Sequence, residues 1–163
     1  MRAVSNGIFK IEKILVIIAI PIMLIAMVFD IFYRYFLNSP LIWGQELTLY
    51  TFVWTSFLGA SMSIKTKEAV AVTIFVDKLN IKLKNLLILI GLFISAVFAV
   101  SILYLSINWI TNPNILMQKS VTTQIPMIFM YFCIPLSLLF MSIHFINWFI
   151  ESLRVSREGK VIE

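Results

Sequence analysis

The sequence predicts an all-α integral membrane protein: four transmembrane helices, both termini on the cytoplasmic side, and an amphipathic segment at the cytoplasmic surface between helices 2 and 3. Three observations carry this expectation. First, 61% of residues are hydrophobic and 13% charged, with mean hydropathy +0.98, too apolar for a 163-residue chain to face water. Second, four continuous apolar runs, roughly 14–33, 47–64, 86–110 and 125–150, lack the in-and-out alternation of barrel strands. Third, the charges segregate. With four crossings, Arg2, Lys10, Lys13, Lys65, Lys67, Lys78, Lys82, Lys84, Arg154, Arg157 and Lys160 share one side, against Arg34 and Lys119 on the other. The positive-inside rule puts the larger group in the cytoplasm.

Taken in order, each run is long enough to cross, because 18 to 25 residues at about 1.5 Å each cover about 27 to 38 Å of a hydrocarbon core about 30 Å thick. The first lacks a small-residue cleavage pattern and reads as a retained span rather than a signal peptide. Asp30 and Arg34, four apart near its outer end, share a helix face and can pair. A turn follows at Asn38 to Pro40, with Gly44 close by, and Glu46 opens the second run. Two readings of these charges stand side by side: interfacial groups tolerated near water, or an Arg34 to Glu46 link tying helix 1 to helix 2. A place in a transport path would require them nearer the midplane.

The second run carries large rings at Trp43, Tyr50 and Phe57, seven residues apart, with Trp54 alongside. Its small residues Ser56, Gly59, Ala60 and Ser63 include pairs four apart, a spacing that lets helices approach closely. Lipid-facing packing and a partner-binding face account for the rings equally well. Segment 65–84 mixes lysines with Val70, Val72, Ile74, Val76, Leu79, Ile81 and Leu83, as expected of a segment lying on the inner membrane surface. In the fourth run Pro135 removes a backbone donor well inside the helix, and Tyr131 stands where it can satisfy the freed carbonyl. Trp43 and Trp109 fit the outer aromatic belt and Trp148 the inner one.

Several chemistries are excluded. The single Cys133 forms no intrachain disulfide and reads as a packed thiol; lone His144 reads as packed or interfacial; no metal site has ligand spacing. No phosphate loop, midplane acid pair or Ser/His/Asp combination is evident. The chain is expected to be non-enzymatic, without cofactor or nucleic-acid partner, and a single membrane domain over 1–163 with short tails.

The stretch YRYFLNSPLIWGQELTLYTFVWTSFLGASMSIKTKEAVAV, followed by Asp77, resembles the small Q-type membrane subunit of tripartite ATP-independent periplasmic (TRAP) transporters. The shared pattern is an Arg-Tyr-x-Phe-x-Asn element, Trp-x-x-Glu, Val-Trp, Phe-Leu-Gly-Ala and a hydrophobic-x-Val-Asp segment. IPMIFMYFCIP, Ile125 to Pro135, is similar to that family's proline-tyrosine-proline pattern, with His144 after it. The chain departs in having Gln45 rather than an acid before Glu46, and no His before Val76-Asp77. The resemblance implies a multi-pass bacterial inner-membrane protein. It would act as a fixed scaffold beside a large M subunit, whose elevator motion is driven by sodium ions held in that partner, with a periplasmic binding protein delivering sialic acid or a C4-dicarboxylate. It further implies that Arg34 and Glu46 hold the outer corner. Trp43, Tyr50, Trp54 and Phe57 would pack against M or a neighbouring helix, Asn38 and Lys119 lie where the binding protein docks, and 65–84 anchors the subunit among membrane lipids. Two other classes remain as alternatives: a small oligomeric proton-coupled exporter, which needs an embedded carboxylate, and a respiratory-enzyme membrane anchor, which needs two axial haem ligands.

Overall fold

The computed structural model describes residues 2–39, 41–66 and 80–157. Most of the surface segment expected at 65–84 lies outside them. Long runs of Ile, Leu, Val and Phe satisfy their backbone groups internally as helices, the form an apolar solvent demands. Four helices are long and apolar enough to cross a membrane: Ala3–Phe36, Ile42–Lys65, Leu83–Ile110 and Ile128–Arg157. The elements are α1 (Arg2–Phe36), α2 (Ile42–Lys65), α3 (Ile81–Ile110), the single turns α4 (Pro113–Leu116) and α5 (Ile128–Tyr131), and α6 (Cys133–Arg157).

The helices overrun the apolar stretches, most of all at the start of α1, where the helix begins at Arg2 rather than near residue 14. Hydropathy marks where the chain can sit in hydrocarbon, whereas the hydrogen-bond ladder continues until a residue leaves helical backbone geometry. At the far end of α1 that residue is Asn38, in the left-handed region at φ 48. There the N–H groups of Leu37 and Ser39 fold back onto the Tyr33 carbonyl at 3.1 and 3.4 Å.

The helices pack as a row. α1 lies along α2, α2 along α6 and α3 along α6, with a shorter contact between α1 and α6. The apolar core is Ile64, Leu92 and Trp148, flanked by Ile88, Met141, Phe145 and Phe149. Trp148, expected at the inner aromatic belt, is instead only 7% exposed, because α2 and α3 both close over it. Trp43 and Trp109 are exposed, as a belt position requires. The outward faces of α1 and α3 present Ile14, Ile18, Ile25, Val28, Ile94 and Phe98 to the surroundings, the surface of a protein whose solvent is lipid.

α5 and α6 are separated at Phe132, three residues before Pro135. The break falls where the missing proline donor weakens the ladder. Among the described residues the extended structure is limited to one antiparallel bridge, Lys119 with Pro126, in the outer connection.

Candidate functional site

Polar side chains concentrate at two places, the corner between α1 and α2, expected on the outer side, and the start of α1, expected on the inner side. At the outer corner, α2 starts at Leu41 without a side-chain cap of its own. The cap comes from α1: Asp30 Oδ1 accepts the Leu41 N–H at 3.1 Å, and Oδ2 accepts the Gln45 side-chain amide at 3.5 Å. A carboxylate at this position also complements the positive end of the helix dipole. Helices α1 and α2 approach closely here, and Gly44 is where they do so. A Cβ added to it would meet Leu41 Cβ at 3.4 Å, Asp30 Cβ at 3.6 Å and the Ala26 carbonyl at 3.7 Å.

Two expectations are corrected by this geometry. Asp30 does not pair with Arg34, because its oxygens are turned to the start of α2. The Arg34 to Glu46 link is likewise not formed: Glu46 receives the hydroxyls of Ser120, Thr122 and Thr123 from the connection between α4 and α5. Arg34 is exposed and meets neither acid among the described residues. Glu46 therefore ties helix 2 to the outer connection rather than to helix 1. That connection is closed by Ser120 N–H to the Ile125 carbonyl and Met127 N–H to the Gln118 carbonyl, both at 2.9 Å, with Gln124 left-handed at φ 57. It holds Lys119 exposed; Asn38, on the α1–α2 turn, is exposed as well.

The carbonyl assignment is also corrected. The Trp54 indole N–H donates to the Phe129 carbonyl at 3.1 Å, so helix 2 reaches across to the broken start of helix 4. Tyr131 instead donates to Gln118 Oε1 at 3.4 Å and to Met127 Sδ at 3.6 Å, with its ring edge-on to Trp109 at 4.9 Å. Tyr50, Trp54 and Phe57 are half-buried, whereas Trp43 is 52% exposed. The expected close approach at Gly59 is absent, since a Cβ there meets nothing within 4 Å; Ser56 and Ala60 are exposed too. The buried face of α2 is Gly44, Leu58, Ser61 and Ile64. Pro135 and Cys133 are buried on α6.

The inner cluster was not anticipated: His144, read as a lone packed or interfacial ring, is buried with a serine and a glutamate as partners. His144 Nδ1 lies 2.8 Å from Ser5 Oγ, and Nε2 lies 3.2 Å from Glu12 Oε2. Ser5 and Glu12 are 0% exposed and His144 2%. Placing the first span at 14–33 left Glu12 outside it, flanked by Lys10 and Lys13 as if it were a solvated charge. The readable signal was that Ser5 and Glu12 stand seven apart, two helical turns, on one face. The outer hydroxyls Ser120, Thr122 and Thr123 also stand in one short run, far in sequence from the acid they meet. Among the described residues no group of His, Cys, Asp and Glu is arranged to hold a metal ion.

Comparison with known proteins agrees with this architecture. The family profile described as Tripartite ATP-independent periplasmic transporters, DctQ component, matches residues 5–155. The C4-dicarboxylate TRAP transporter small permease protein DctQ of Rhodobacter capsulatus is 28% identical over 107 residues, covering 66% of this chain and 47% of that protein. The sialic acid TRAP transporter small permease protein SiaQ of Vibrio cholerae is 30% identical over 89 residues, covering 55% of this chain and 50% of its own. The isethionate TRAP transporter permease protein DctMQ of Oleidesulfovibrio alaskensis is 23% identical over 142 residues, covering 83% of this chain and 22% of its own. The chain spans about half the length of the small permease relatives it matches. The match along nearly all of the sequence, on four membrane-crossing helices, makes this multi-pass protein a member of the TRAP transporter small permease (DctQ) family.

Proposed function

We propose that the chain is the fixed scaffold subunit of a sodium-coupled bacterial importer of an organic acid, working beside a large M subunit and a periplasmic binding protein. The observation that carries this is where its polar groups go. Asp30, Glu46, Trp54, Glu12 and His144 all bond to other helices or connections of the same chain. Such an interior holds a shape and offers no path for a solute. Both termini lie in the cytoplasm by the distribution of basic residues, and the membrane is the bacterial inner membrane.

The relative whose name joins M and Q in one permease protein supports a large partner. The relatives named for a C4-dicarboxylate, isethionate and sialic acid share an organic anion as cargo, and cargo of this class is proposed here. Lys119 and Asn38, exposed at the outer end, are proposed to meet the binding protein, and the inner lysines and arginines to contact lipid headgroups.

The two alternatives fit poorly. An exporter needs a carboxylate open to a path, whereas Glu12 is sealed inside the helix row. A haem anchor needs a ring nitrogen to spare, and both of those of His144 are engaged.

The test is sodium-driven uptake into proteoliposomes containing the large subunit and binding protein, with and without this chain. Uptake that requires the chain, while the chain alone carries nothing, is expected. Transport by the chain alone refutes the scaffold reading.

A further inference from the structure

We propose that Glu12 and His144 are buried as a charge-neutral pair that holds one proton between carboxyl and imidazole, and that with Ser5 this pair locks α1 to α6 at the inner end. The argument begins from the hydrogen-bond inventory of the ring. Neutral imidazole has one donor and one acceptor nitrogen. If Nε2–H donates to a Glu12 carboxylate, Nδ1 is bare and Ser5 must donate to it. The site then carries a net negative charge at 0% exposure, while Glu12 Oε1 has no hydrogen-bond partner. An uncompensated charge with an unsolvated oxygen is the arrangement that a low-dielectric interior penalises most.

One added proton removes the charge in either of two ways. Imidazolium faces carboxylate, or neutral imidazole accepts from a protonated carboxyl at Nε2. In both, Nδ1 carries hydrogen and donates to Ser5 Oγ, whose 2.8 Å distance fits a direct bond. The state of Nδ1 thus separates the neutral pair from the charged one.

The other charged groups at this end, among the described residues, are Lys10 and Lys13 on α1, Lys65 on α2, Lys84 on α3, and Glu151, Arg154 and Arg157 on α6. Lys10, Lys13, Arg154 and Arg157 are exposed, while His144 bonds to Ser5 and to Glu12. In this proposal the proton on the pair supplies the compensation. Its removal would leave a bare charge between α1 and α6 and release the lock.

His144 is the sole histidine, so 15N-histidine labelling gives one ring and an unambiguous spectrum. In the folded chain at neutral pH, Nδ1 is expected in its protonated form; a bare Nδ1 overturns the proposal. Glu12→Gln has no ionisable carboxyl, and its amide can accept from or donate to Nε2, so the ring is expected to be neutral with hydrogen on one nitrogen only; an imidazolium in this variant overturns the proposal. Should that variant not fold, the wild-type spectrum decides together with Ser5→Ala. Ser5→Ala removes an acceptor but not the charge balance, and is expected to keep Nδ1 protonated; loss of that proton counts against the pair.

Discussion

Replacing Asp30 with Ala tests whether α1 caps α2. The substitution removes the acceptor of the Leu41 N–H at 3.1 Å and of the longer Gln45 contact at 3.5 Å. Loss of an N-cap acceptor costs about 0.5 to 2 kcal/mol. The interaction of the carboxylate with the helix dipole adds about 0.3 to 1 kcal/mol, toward the lower end because Asp30 is half-exposed. The 3.5 Å contact lies at the limit of a hydrogen bond and adds little. Together these give about 1 to 2.5 kcal/mol, or a fall in Tm of about 2 to 10 °C at the 2 to 4 °C per kcal/mol typical of this chain length. Asp30→Asn keeps an acceptor and loses the charge, so its cost is only about 0.3 to 1 kcal/mol. Arg34→Met is the control, expected to change Tm by about 2 °C or less because an exposed surface substitution stays within about 0.5 kcal/mol. Tryptophan fluorescence of the detergent-purified chain during heating measures all three. The capping argument is refuted if Asp30→Ala melts with the wild type, or if Arg34→Met falls as far.

Three further outcomes follow from the same contacts. Glu46→Ala releases the hydroxyls of Ser120, Thr122 and Thr123, so amide exchange over 118–126 is expected to accelerate while α1 and α2 keep their protection. Trp54→Phe keeps a ring but removes the donor to the Phe129 carbonyl; a loss of about 0.5 to 1.5 kcal/mol in thermal unfolding is expected, and no loss would mean that the bond holds nothing. Gly44→Leu drives a side chain into the α1–α2 contact at a cost of about 1 to 3 kcal/mol, whereas Gly59→Leu in the isolated chain points into open space and should leave Tm unchanged. A Gly59→Leu variant that is stable alone yet fails to copurify with the large subunit would place that face at the partner.

How far the structure was legible varied with the kind of information each residue carries. The four helices were readable because apolar length is a local property, and the break before Pro135 because a missing N–H acts on its own turn. Asp30 was visible as a charge near the outer end, but its partner was not. A spacing of four proposes Arg34 on the same helix, while the amide that wins belongs to the start of the next helix and becomes available only once the turn at Asn38 has brought it back. Glu12 went unmarked for the opposite reason. Lysines on either side made it look solvated, and burial is decided by a helix more than a hundred residues away in sequence. Gly59 shows that small-residue spacing permits an approach without selecting which of several such faces is used, and Gly44 was the one taken.

The row of helices has a mechanical consequence. Members joined only to their neighbours can fold about each joint like panels of a screen, and α1–α2–α6–α3 is such a series. The contact of Ser5 and Glu12 with His144 adds a strut between α1 and α6 that bypasses α2, so those three form a triangle, a figure that does not deform without breaking a side. Among the described residues α3 packs mainly along α6, with a ring contact from Trp109 to Tyr131 and no polar strut of this kind to α1. Under lateral load the triangle should move as one piece and the swing should occur at the α3–α6 joint.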